Sequence, residues 1–305
     1  EGRAHYLGTF GFMFWLLSLS CVVVYGCVLP FNNIASGILL ERNYFQTSTD
    51  PNCILLHPDQ CTSGILVSST NPSTSLVDGS PCPGQFVAPL LPFSLNISWA
   101  EKTHMFNPLK ESDVDCDDVF WAEACTKNYC DAQKVATETA GRRMAIPYII
   151  SAGFSPILGH MVDKIGCRAI IIAIAPFLLV LVHGDLALRK GSPIVPLLFQ
   201  GVAYSLYAAV IWPSIPLTVK PAFTGSAYGT ITSFQNLGLA LFPLIIAEIY
   251  KRHNNLYIPF VELFFVSLAT FGVCIGILIH MMDQRTGGRL NLASATVVRE
   301  DTDTN

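Results

Sequence analysis

Apolar residues gather along this chain in six long runs that hold almost no charge, and all but one of the breaks between them are short. A helix needs roughly 20 apolar residues to cross about 30 Å of hydrocarbon, because every backbone amide inside the bilayer must be satisfied within the segment. Residues 6–29 (with a polar continuation to 40), 144–162, 169–188, 194–219, 227–247 and 256–282 meet that requirement. The last five follow one another closely and must cross as antiparallel neighbours. About a hundred polar residues separate the first from the second. The pattern predicts an all-α membrane protein of one plus five transmembrane helices: a first helix with a broken continuation (1–42), a large loop (43–141), five helices (142–283) and a tail (284–305).

The first run carries no charge from Tyr6 to Leu40, too long for one span and too short for two spans and a turn. Pro30-Phe31-Asn32-Asn33 interrupts it, and proline removes a backbone donor and crowds the preceding turn. Two readings are open. The helix either leaves the membrane near Asn32 and continues as a surface helix to Arg42, or breaks at a solute site where Asn32 and Asn33 face a ligand, as in transporters.

Composition agrees with the hydropathy pattern. Charged residues are 13% of the chain against the usual quarter, 51% is hydrophobic, and the mean hydropathy is +0.46. Charge is uneven: residues 43–141 hold 12 of the 22 acidic residues and 4 of the 18 basic ones, a local net of −8. No basic patch or stripe points to nucleic acid. The chain begins at Glu1, with no initiator Met and no signal-peptide pattern, and reads as a fragment whose N-terminal part is absent.

The loop contains six of the ten cysteines: Cys53, Cys61, Cys82, Cys116, Cys125 and Cys130. An even number without zinc-ligand spacing reads as up to three disulfides, all pairings open. Asn96-Ile97-Ser98 is an N-glycosylation sequon. Both features place the loop on the lumenal or extracellular side, with the chain start, the 162–168 and 220–225 loops and the tail in the cytosol. The basic residues near the span ends, six on the cytosolic side and seven on the other, decide nothing. The run from Asp113 to Asp118 lacks the glycine and glutamate of a calcium loop and reads as a solvated acidic face.

Between the second and third spans stands Gly159-His160-Met161-Val162-Asp163-Lys164-Ile165-Gly166-Cys167-Arg168. Gly159 permits close helix approach, Gly166 supplies turn conformations that other residues resist, and Asp163 pairs with a base or a helix N-terminus. Lys164 and Arg168 are expected to hold the turn in the cytosol. The segment resembles the signature of the major facilitator superfamily, departing from it at Cys167, where a basic residue is usual. That resemblance implies twelve spans in two six-helix halves and alternating access, with this chain as one half and its N-terminal partner half missing. Further segments, Leu206 to Pro213, Gly225 to Gly229, Gln235 to Ala240 and Gly287 to Asn291, resemble the lysosomal dipeptide-transporter branch of that superfamily. The branch implies dipeptide export across the lysosomal membrane with a glycosylated lysosomal accessory subunit. The cysteine-rich loop departs from it. The plasma membrane and another small organic solute are the alternatives.

Polar groups in hydrocarbon are costly and face a bundle interior or a cavity. Gln200, Tyr204 and Tyr207 fall at i, i+4 and i+7 on one helical face, with Trp212-Pro213 beyond, and read either as helix-helix glue or as a cavity wall. Trp212 offers an apolar and cation-π surface. Gln235 and Asn236 lie near mid-bilayer, where amides bond a peptide backbone. Asp185, His183, Glu248 and Glu262 sit within two turns of a membrane edge, where snorkelling and ordinary pairing account for them. The chain has no GxSxG elbow and no HExxH zinc site, so an enzyme is not expected, and no cofactor or metal is called for. A non-transporting scaffold or receptor with a transporter fold is the competing class.

Overall fold

Six helices are long and apolar enough to cross a membrane in the computed structural model, which describes residues 10–47, 87–88, 93–97, 104–108, 114–123, 126–189, 191–293 and 296. They are α1 (Phe12–Leu39), α2 (Lys127–Ile165), α3 (Arg168–Leu188), α4 (Ile194–Ser214), α5 (Thr224–Arg252) and α6 (Phe260–Arg285). Hydropathy locates every one, and the chain is an integral, multi-pass membrane protein. Two boundaries differ from expectation. Helix α2 starts 17 residues before the apolar run, because Lys127 to Arg143 is polar but rich in helix formers. Helix α1 neither breaks nor surfaces at Pro30; it continues as α-helix to Leu39, with Ala35 and Ile38 buried. Neighbouring helices enclose it there, and such packing tolerates proline inside a membrane helix.

The described residues form two compact units, one from residues 1–38 and 142–305 and the other from 39–141. In the first, α1 is the central helix. Phe31 packs edge-on to His183 of α3 and Phe265 of α6, and Tyr25 packs edge-on to Tyr207 of α4. Phe242 of α5 fills the space over Gly26, so closely that a Cβ there would overlap its ring. Small residues set the helix-helix spacing, as in membrane bundles generally. At Gly276 of α6 a Cβ would stand 2.6 Å from the Ala173 Cα of α3, and at Gly201 of α4 it would stand 2.8 Å from the Pro147 carbonyl oxygen of α2. Helices α2 and α5 keep large apolar side chains exposed, among them Ile149, Phe154 and Ile157 on α2 and Leu237, Leu241 and Leu244 on α5. Those faces suit lipid or a second membrane body.

In the second unit a wide π turn, Leu40–Tyr44, precedes β1 (Gln46–Thr47), which pairs in parallel with β2 (Val87–Ala88). β3 (Phe93–Ile97) pairs antiparallel with β4 (His104–Pro108), so Asn96 stands in a strand opposite Met105. These short ladders are additions to the all-α expectation. Cys116 and Cys130 form a disulfide. Phe45, Val114, Cys116 and Trp121 pack on the buried pair Tyr129 and Cys130. The Asp118 carboxylate accepts the Phe120 N–H at 2.8 Å and caps the helical turn Val119–Glu123, the work one acidic residue of the Asp113 to Asp118 run does here. Cys53, Cys61, Cys82, Cys125 and Ser98 of the sequon lie outside the described residues.

Candidate functional site

Helices α1 and α4 meet along a polar and aromatic seam. Gln200, fully buried, donates from Nε2 to Asn32 Oδ1 at 3.0 Å. Two turns along, the Tyr207 hydroxyl and Ser20 Oγ share a hydrogen bond of 2.8 Å, both groups buried. Gln200 and Tyr207 therefore serve as helix-helix glue, and Asn32 is committed to Gln200. Asn33 is exposed on the other side of α1.

Tyr204 and Trp212 of the same stripe are half-buried. Tyr25 of α1 is the hub: its ring stands edge-on to Tyr204 at 6.1 Å and to Tyr207 at 5.7 Å, and lies 6.0 Å from the Trp212 ring. Its hydroxyl accepts the Trp212 indole N–H at 2.8 Å. The other face of Trp212 stacks on Tyr228 of α5 at 6.3 Å and 26°, and the Tyr228 hydroxyl donates to the Trp212 carbonyl. Trp212 is thus held between α1 and α5. Tyr228, Gln235 and Phe242 recur every seven residues on one face of α5, and the Phe242 end of that face lies against α1. Gln235 is half-buried there, one helical step from the exposed Asn236. Neither Tyr25 nor Tyr228 was among the residues expected at such a site. Tyr25 and Asn32 share a face at i, i+7, and that spacing was the available signal.

A second polar cluster corrects an expectation. His183 of α3 and Glu262 of α6 are not edge residues paired with solvent: both are fully buried, and Nδ1 lies 2.8 Å from Oε2. Phe31 and Phe265 close over the imidazole, and Cys27 of α1 donates its thiol to the Phe265 carbonyl beside it. Nε2 of His183 and Oε1 of Glu262 have no partner among the described residues. Asp185 and Glu248 pair as expected, one turn away, with Arg189 at 3.3 Å and Arg252 at 2.6 Å.

The motif turn departs from expectation at two residues. A Cβ on Gly159 would meet nothing within 4 Å, so among the described residues no neighbour uses its close-approach surface. Arg168 is buried rather than solvated; it is 2% exposed, reaching Asp163 Oδ1 at 3.5 Å and the Leu292 carbonyl at 3.0 Å. Asp163, by contrast, is 62% exposed, and Lys164 is exposed too. Gly166 (φ +78°) and Cys167 (φ 59°) turn the chain in the left-handed region, where glycine is unstrained.

No family model matches the chain. Among curated proteins it is similar to the lysosomal dipeptide transporter MFSD1 of Danio rerio, 35% identical over 152 residues that cover 50% of this chain and 32% of that protein. It is 31% identical to the transporter of that name in Homo sapiens over 159 residues, and 33% identical to that of Gallus gallus over 156 residues. The aligned part spans about a third of the relatives' length and about half of this chain. These relatives agree with the resemblance noted at the motif turn, and the six helices fit a transporter half of the major facilitator type.

Proposed function

We propose that this chain is one six-helix half of an alternating-access transporter that exports dipeptides or similar small solutes from the lysosome. The observation that carries the reading is the aromatic seam of Tyr25, Tyr204, Trp212 and Tyr228, built where three helices meet, with Gln235 seven residues beyond Tyr228 on α5 and the exposed Asn236 next to it in sequence. A dipeptide presents two charges and an amide whatever its side chains. A tolerant site therefore binds the backbone with polar groups and leaves side chains to a permissive aromatic surface. The seam holds no charge, and an unpaired substrate charge in hydrocarbon is expensive. The charged partners are assigned to an N-terminal six-helix half, which would also cover the exposed faces of α2 and α5 and the open surface at Gly159.

The names of the relatives speak for the lysosomal membrane rather than the plasma membrane. A glycosylated lysosomal accessory subunit and a glycan at Asn96 belong to the same proposal. The test is uptake of paired small and bulky dipeptides by proteoliposomes carrying the full-length protein. Saturable uptake supports the reading. Its absence, with the protein folded and binding a partner through the loop, would favour the scaffold.

A further inference from the structure

The eight residues after α6 do not leave the bundle. Gly287 (φ +102°) and Gly288 (φ +71°) reverse the chain at the helix end, where the Gly288 N–H bonds the Asp283 carbonyl at 2.7 Å. The Asp283 carboxylate, 1% exposed, then gathers the returning segment: Oδ1 accepts the Leu290 N–H at 2.9 Å and Oδ2 accepts the Asn291 side-chain amide at 2.8 Å. From there two bonds reach the motif turn. The Asn291 carbonyl accepts the Cys167 N–H at 3.2 Å, and the Leu292 carbonyl accepts Nη1 of Arg168, whose Nη2 holds Asp163. The seat is shaped for backbone: a Cβ on Gly166 would overlap the Asn291 carbonyl oxygen and stand 2.7 Å from that of Leu292.

We propose that residues 286–293 are a strap, closed by Asp283 and Asn291, that positions the motif turn and so sets where Asp163 is presented. Arg168 is the positioning residue between them: its guanidinium spends one nitrogen on the strap and another on Asp163, a forked geometry that lysine lacks. Without the strap, the turn loses the Cys167 N–H bond and the Arg168 anchor together, and Asp163 keeps its sequence neighbours but not its place. The role in turnover rests on the alternating-access reading. The docking itself does not.

The experiment therefore has two arms, both on the full-length protein in membranes. Cys167, a partly exposed free thiol on the turn, reports docking through its rate of reaction with a membrane-impermeant maleimide, with Cys167→Ser as the blank. Asn291→Ala and Asp283→Ala should each raise that rate about tenfold or more, the scale on which losing buried charge-assisted bonds promotes local opening. Asp283→Glu and Arg168→Lys separate the carboxylate and the fork from simple loss of fold. In the transport arm, Asn291→Ala and Asp163→Asn should each lower turnover several-fold at an unchanged KM, and combining the two should be no worse than either alone, since they act through one contact. Unchanged labelling in both strap variants would show that the strap is not docked. Raised labelling with unaltered turnover would overturn its positioning role, and so would additive losses. A native protein that labels as expected but moves no dipeptide sinks the functional reading instead.

Discussion

Tyr25 gives Trp212 both a ring to lie against and an oxygen for its indole N–H. Tyr25→Phe keeps the first and removes the second, leaving a half-buried donor without its acceptor, which costs about 1 to 3 kcal/mol. The expected result is a lower melting temperature in detergent and a Trp212 emission shifted by its changed surroundings; an unmoved spectrum would mean the hydroxyl does not hold the ring. Trp212→Ala should weaken bulky or cationic dipeptides more than small ones, while Asn236→Ala should weaken all alike. Competition assays with paired dipeptides read the difference, and an unchanged selectivity in the Trp212 variant removes that ring from the site. Trp212, Tyr204 and Tyr207 were legible in the sequence because a helical period of polar residues in hydrocarbon demands an explanation. Tyr25 was not, since the Trp212 it meets stands 187 residues away and no local pattern announces a contact across a bundle. Asn32 shows another contact that no local pattern announces: its Oδ1 accepts from Gln200, 168 residues away.

Between elements, α3 and α6 are joined by the buried His183 and Glu262 pair as well as by the close approach at Gly276. Two ionisable, hydrogen-bonded groups out of water are costly to bury, and removing one leaves the other buried without its partner, at about 1 to 3 kcal/mol or more, whereas replacing both with apolar groups of similar volume is often neutral. His183→Leu and Glu262→Leu should each lower thermal stability sharply, and the double variant should recover most of the loss. Equal, additive losses would show that the two side chains do not depend on one another. Position along the hydropathy profile hid this pair, because a residue near the end of an apolar run looks like an edge residue until the packing of α1 over it is known. The helices themselves were legible, since bilayer thickness fixes how many apolar residues each needs. The polar start of α2 was not, and the unbroken, buried course of α1 past Pro30 was one the sequence left open, so both emerge only from the fold. Gly276→Leu tests the spacing directly: a side chain built against the Ala173 backbone must spread α3 from α6, and the protein should fail to reach a monodisperse folded state.

At the scale of the molecule, six alternating crossings put the motif turn, the α4 to α5 connection and the strap at one end of the bundle. Counting basic residues cannot orient that bundle, because six stand against seven. Parity can. Of the six candidate spans among the described residues, α2 is the one that lies between residues 96 and 167 in sequence, which predicts opposite sides of the bilayer for Asn96 and Cys167 whichever way the chain is inserted. Glycan is added only on the lumenal side, to a surface segment that presents the sequon. A glycosidase-sensitive mobility shift lost in Asn96→Gln would therefore fix the loop as lumenal and place Asp163, Lys164 and the strap in the cytosol. Cys167 should then react with an impermeant maleimide only from the cytosolic face, while reduction of the Cys116 to Cys130 disulfide should alter the loop and leave the spans folded, since their backbone bonds are internal. Labelling of Cys167 from the glycosylated side would require an even number of crossings between the two residues. That would remove α2 as a span, and with it the six-helix half on which the transport reading stands.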